Sequence, residues 1–97
     1  MNEVVSEIEL RDKVQRGDHA ARIMKDTLVI EALNNMRTTV YHNIASSSHT
    51  QKEERENLYL MLRAIQGFED QFKEAINGGK KAKSRLLTLF KGDRNGS

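Results

Sequence analysis

Apolar side chains recur at steps of three and four over two long stretches of this chain, the period of an amphipathic helix. Between Leu28 and about Ala45, Val29, Leu33, Met36, Val40 and Ile44 form one stripe, widened by Ile30 and Tyr41. From Leu58 the pattern resumes through Met61, Leu62, Ile65, Phe68, Phe72, Ala75 and Ile76 and stops at Asn77-Gly78-Gly79. Each stripe marks one face of a helix. Between them, Ser46-Ser47-Ser48-His49 predicts a helix end, because consecutive hydroxyl side chains compete for backbone partners. Thr50-Gln51-Lys52-Glu53 predicts a new start: the hydroxyl and Glu53 are spaced to satisfy each other's free N–H groups. Glu53, Glu54 and Glu56 lie where the helix dipole favours negative charge. A short turn between two long amphipathic helices predicts an antiparallel helical hairpin over residues 28–77.

The flanking segments carry shorter signals. Ser6 and Glu9 predict the start of a short helix to Arg16, with Leu10 and Val14 as neighbours on one face and Gly17 as a left-handed stop. Asp18 then reads as the N-cap of a second short helix, Ala20 to Lys25. Asp26-Thr27 is another start signal, compatible with a break or a bend. After Gly78-Gly79 the spacing predicts a last helix, Lys80 to about Phe90, with Ala82, Leu86, Leu89 and Phe90 on one side. No strand alternation appears, and proline is absent. The expectation is an all-α single domain over 1–97: short N-terminal helices in 1–26, the hairpin in 28–77, a basic C-terminal helix over 80–90 and a tail over 91–97. Gly67 interrupts the second long helix at a cost of about 1 kcal/mol relative to Ala, which points either to close approach of another backbone there, the preferred reading, or to simple tolerance.

Length sharpens this picture. A chain of 97 residues without cysteine buries only about two-thirds of its unfolded surface and has no disulfide to staple it. Two long apolar stripes exceed what so small a chain can cover, so self-association through Leu33, Met36, Val40, Leu62, Ile65, Phe68 and Phe72 is expected. No apolar run approaches the roughly 18 residues of a membrane span, and Met1-Asn2-Glu3-Val4-Val5 lacks the basic start of a signal peptide. The expectation is a soluble, unexported chain.

Charge changes the picture most. Residues 80–97 hold Lys80, Lys81, Lys83, Arg85, Lys91 and Arg94 against Asp93 alone, a local +5 within a chain of net charge +2. Such asymmetry points to a polyanion or an acidic protein surface as partner. At the start of a separate helix these cations would also oppose its dipole, an unfavourable placement that an external anion would relieve. Residues 8–25, as two short helices around Gly17 with His19, Arg22 and Lys25 on the second, loosely resemble a helix-turn-helix.

Catalytic chemistry finds no constellation. His19, His42 and His49 are the only imidazoles and are not spaced as a metal-binding pair; without cysteine there is no thiolate nucleophile or ligand. Gly78-Gly79-Lys80-Lys81 lacks the strand and the spacing of a phosphate loop. No catalytic residue, metal, cofactor or small-molecule substrate is expected.

The runs Arg16-Gly17-Asp18-His19-Ala20-Ala21, Leu28-Val29-Ile30-Glu31-Ala32-Leu33, Glu54-Arg55-Glu56-Asn57-Leu58-Tyr59-Leu60 and Gly78-Gly79-Lys80-Lys81-Ala82 occur in an order that resembles a family of small helical proteins of tailed bacteriophages and prophages. The resemblance covers most of residues 13–86. It implies a setting among virion-assembly and DNA-packaging genes, with the host cytoplasm during assembly as the expected location and the virion as an open alternative. The expected function is a non-enzymatic virion or assembly protein that forms homo-oligomers, or joins other phage structural proteins, and meets DNA or an acidic partner through its basic end. The alternatives are a small terminase-like packaging subunit that contacts DNA through residues 8–25, and an inhibitor of a host enzyme.

Overall fold

The structure, a computed structural model, describes residues 3–96 and the side-chain surroundings of residues 7–91. It is all-helical, with α1 at Glu3–Lys25, α2 at Thr27–Ser46 and α3 at Lys52–Gly96, and no strand among the described residues. The chain divides into two compact units, one formed by Met24–Gln71 and the other by Met1–Ile23 with Phe72–Ser97. The 45-residue α3 therefore contributes its first part to one unit and its second part to the other.

In the unit of residues 24–71, the choice left open at Asp26 resolves as a break. Asp26 has extended backbone, φ −66° and ψ 123°, and its carboxylate accepts from the N–H groups of Leu28 and Val29 at 2.9 and 3.3 Å. Two donors that α2 cannot satisfy internally are thereby paired. Asp26→Ala should cost about 1 kcal/mol and lower the melting temperature by several degrees, read by circular dichroism. An unchanged melting temperature would show that the cap contributes nothing.

The serine run ends α2 by the expected competition. The Ser46 hydroxyl donates to His42 O at 3.0 Å, the Ser47 hydroxyl donates to Ile44 O at 2.7 Å, and Ser47 has extended backbone. The start of α3 is built differently from the expected Thr50/Glu53 box. Gln51 Oε1 accepts from the Ser48 N–H at 2.9 Å, while the hydroxyls of Thr50 and Ser48 bond each other at 2.7 Å. The same hydroxyl-x-x-acceptor chemistry thus operates two residues earlier, where Ser48 and Gln51 stand at the required separation.

Leu33, Val40 and Ile65 form the buried centre of this unit, and Met24, Val29, Ile44, Leu58 and Leu62 pack around it. The two apolar stripes meet here, but only part of each is used. Met36, Met61 and Phe68 fall on a flank and stay about half exposed. Arg37 and Glu69 pair across α2 and α3, both partly buried. That pair joins residues 32 positions apart, so no local spacing rule could have found it.

The other unit overturns two readings of glycine, and a third falls at Gly67 in the unit of residues 24–71. Gly17 and Gly79 were expected to end helices; both lie inside unbroken ones, and no described glycine has positive φ. Residues 3–25 are one helix rather than two short ones, and residues 80–90 continue α3 rather than forming a helix of their own. Asp18 is correspondingly an exposed mid-helix residue, and Ser6 lies within α1, its side chain outside the described residues. The reason is tertiary. A Cβ on Gly17 would come to 2.9 Å from Ala75 O and from Gly79 Cα, and one on Gly79 to 3.0 Å from Lys13 O and Gly17 Cα. The two backbones touch at this crossing, and the contact outweighs the roughly 1 kcal/mol that each glycine costs a helix. Ala20, Ala82 and Leu86 of the same unit are buried. Gly67 is the opposite case: nothing lies within 4 Å of its Cβ position, so the close approach expected there occurs at Gly17 and Gly79 instead.

Candidate polyanion and self-association surfaces

The unit of residues 1–23 and 72–97 holds eleven Lys and Arg against seven Asp and Glu, whereas residues 24–71 hold five against seven. The fold therefore collects the positive charge in one unit, at +4, and leaves the other at −2. Lys80, Lys81, Lys83, Arg85 and Lys91 are all exposed on α3. The Arg94 side chain lies outside the described residues. Among the described residues the ion pairs are Arg11–Glu7 and Arg37–Glu69, so none of these five cations has a described carboxylate as partner.

Because α3 is continuous, Lys80 to Arg85 lie well inside it and oppose no helix N-terminus. The dipole argument for an external anion therefore does not hold. What remains is the crowding of four like charges within two turns, which repel at i,i+3 and i,i+4 spacing. The glycine crossing adds something the sequence did not reveal. Gly79 sits directly on the backbone of Lys13 and Gly17, so Lys13 of α1, itself exposed, comes close to the start of the Lys80–Lys83 run. The helix-turn-helix reading of residues 8–25 fails at the same place, since α1 passes through Gly17 without a turn.

Phe90, placed by its spacing on the apolar side of the last helix, is about half exposed, and Arg11 stands over its ring at 5.8 Å from the centroid. A cation over an exposed aromatic face contributes about 0.5–1 kcal/mol, here tying α1 to the end of α3. Leu87 and Leu89 are exposed as well.

The seven residues expected to mediate self-association separate into three groups. Leu33, Val40 and Ile65 are buried inside the chain's own core and Leu62 packs against it, so these four are not available to a partner. Phe72 belongs to the other unit and is half-buried. Met36 and Phe68 remain exposed, and with Met61 and Ala64 they line an open groove of about 630 Å³ between α2 and α3. Met61 carried the same stripe signal in the sequence; Ala64 carried none, because a small residue at a helix flank has no hydrophobic signature of its own.

No group of three or more His, Asp or Glu comes together in a metal-binding arrangement among the described residues, and no described helix is long and apolar enough to cross a membrane. Comparison with family models, curated proteins and solved structures gives no match, so a functional reading rests on these residues and their arrangement.

Proposed function

We propose that the chain is a non-enzymatic assembly protein that binds a polyanion, in the first place duplex DNA, through the basic second part of α3, and associates with copies of itself through apolar helix faces. The observation that carries the reading is the partition of charge: one unit carries +4 with exposed cations that have no described carboxylate partner, while the other carries −2. A merely solubilising surface would need no such separation. Lys80, Lys81, Lys83, Arg85 and Lys91 would meet phosphates, with Lys13 extending the surface across the glycine crossing and Arg94 continuing it along the chain. The unit of residues 24–71 supplies the scaffold as a helical hairpin, α2 antiparallel to the first part of α3; the short turn and the Arg37–Glu69 pair support that arrangement. The setting is the one the resemblance implies, virion assembly or DNA packaging in a tailed phage.

Binding of this kind releases counterions and reads no sequence. Four phosphate contacts would make affinity fall roughly 150-fold between about 50 and 200 mM salt, from a log–log slope near −0.9 per contact. Changing Lys80, Lys81, Lys83 and Arg85 to Gln should abolish binding and leave helical content intact, because all four are exposed and Gln is a good helix former. Fluorescence anisotropy of labelled duplex DNA with wild type and the fourfold variant measures both effects. Equal weak binding by the two proteins would remove DNA as the ligand and leave an acidic protein surface as the partner.

A further inference from the structure

The basic unit of residues 1–23 and 72–97 carries exposed apolar side chains among its cations. On α3, Leu87 is 58% exposed, and its neighbours one turn away are Lys83 and Ser84 on one side, Phe90 and Lys91 on the other. With Lys80 they make one continuous exposed strip at steps of three and four. Phe90 is 46% exposed, whereas Phe72, the other aromatic of this unit, is half-buried. The Phe90 ring is held from one side. The Arg11 guanidinium stands 5.8 Å from its centroid and is itself fixed by Glu7, whose Oε1 accepts from Arg11 Nε at 3.1 Å and from Nη2 at 2.9 Å. That pairing spends the charge of Arg11 within the chain but leaves a guanidinium plane beside an aromatic ring, two surfaces on which nucleobases stack.

We propose that the strip takes a single-stranded nucleic acid, whose phosphates meet Lys80, Lys83 and Lys91 while an unpaired base stacks on Phe90 and covers Leu87. This inference rests on the polyanion reading above and narrows it to a strand with uncovered bases, duplex binding through phosphates alone being the weaker mode. A duplex turns its phosphates outward and keeps its base faces stacked inside, so it gives Leu87 and Phe90 nothing to cover them. A single strand offers both at once, and an aromatic ring among cations meets each part of it. An anionic lipid surface also combines negative charge with apolar matter, but helices that lie in that interface separate cations and apolar residues onto opposite faces. Here the two kinds alternate along one strip, so seating Leu87 in hydrocarbon would draw Lys83 and Lys91 in with it. Stacking accepts any base, because every base has a π face, and therefore adds no sequence preference.

Fluorescence anisotropy of the full chain with three labelled oligonucleotides of equal length tests it: a mixed-sequence single strand, an abasic strand with the same phosphates, and a duplex. At about 200 mM salt, where phosphate contacts are weakened, wild type should bind the single strand roughly 5–150-fold more tightly than the abasic strand, the effect of one stacked base. Phe90→Ala should remove that advantage and leave binding of the abasic strand and the duplex unchanged, with helix content checked by circular dichroism. Because the chain has no Trp, Phe90→Trp supplies a second readout. It should bind the single strand at least as tightly as wild type, and its emission should be quenched by that strand but not by the abasic one. Equal affinity for the two strands, with emission of the Phe90→Trp protein unchanged by either, would overturn base stacking. The polyanion reading would survive that result if the fourfold Gln variant still lost duplex binding, and would fall with it if that variant bound duplex as wild type does. A blue shift of the same emission on phosphatidylserine–phosphatidylcholine vesicles, with no response to the single strand, would overturn the inference in favour of a lipid surface.

Discussion

Gly17→Ala is expected to lower the melting temperature, and Gly67→Ala to raise it. Both positions lie inside helices, so both substitutions gain the same propensity term of about 1 kcal/mol. They differ in what the new methyl group meets. At Gly17 it would stand 2.9 Å from a carbonyl oxygen and 2.9 Å from an α-carbon, both backbone atoms that cannot rotate aside. The helices must then separate. Overpacking of this kind costs about 1–3 kcal/mol, enough to outweigh the propensity gain. At Gly67 the methyl group meets nothing within 4 Å. With about 4–8 °C per kcal/mol for a domain of this size, the two melting temperatures should move in opposite directions by several degrees each. Gly17→Leu should go further and detach α1 from the second part of α3. If Gly17→Ala and Gly67→Ala both stabilised the protein, the crossing would be looser than 2.9 Å and the continuity of α1 would need another cause.

Ile65→Asp should abolish folding of the unit that contains it. Ile65 is 6% exposed and shares the centre of an apolar cluster with Leu33 and Val40. Burying an unpaired ionisable group costs several kcal/mol, of the order of the whole stability of a small domain. Circular dichroism should show a large loss of helix at neutral pH and no cooperative melting. Ile65→Val, which removes one methyl group, should cost only about 0.5–1.5 kcal/mol and melt cooperatively. Leu62→Asp should be milder than Ile65→Asp, because Leu62 is only partly buried at the edge of the same cluster. An Ile65→Asp protein with wild-type helix content would show that the cluster is not the core.

The helical class, the limits of α2 and the position of the turn were legible because each depends on residues near in sequence. Asp26 caps groups two and three residues away, and the serines that end α2 bond carbonyls three and four residues back. The registry of the next helix start was less legible: Ser48 and Gln51 took the role given to Thr50 and Glu53, since several hydroxyls in the turn offer similar chemistry. The stripe on α3 could be seen to continue past Phe72. That it changes partner there, from α2 to α1, could not, because an apolar face looks the same whichever helix covers it.

By itself, then, the sequence determined an all-helical chain, its turn, the apolar residues available for burial and the basic run from Lys80, all of which follow from local hydrogen bonding, periodicity and charge. Only the tertiary structure decided how the glycines are used. Gly17 and Gly79 have the local signature of helix stops, yet each is the place where another backbone arrives, and that arrival makes the absence of a side chain favourable. A trace of it was present as Gly17-x-x-Ala20-Ala21 and Ala75-x-x-x-Gly79-x-x-Ala82, small residues at helical spacing on two segments. Which of Met36, Val40, Met61 and Ile65 would be covered also depended on the angle at which α2 meets α3. Propensity and periodicity act within a few residues of the chain; packing between helices far apart in sequence is settled by shape, and one continuous contact can outweigh the local cost of several glycines.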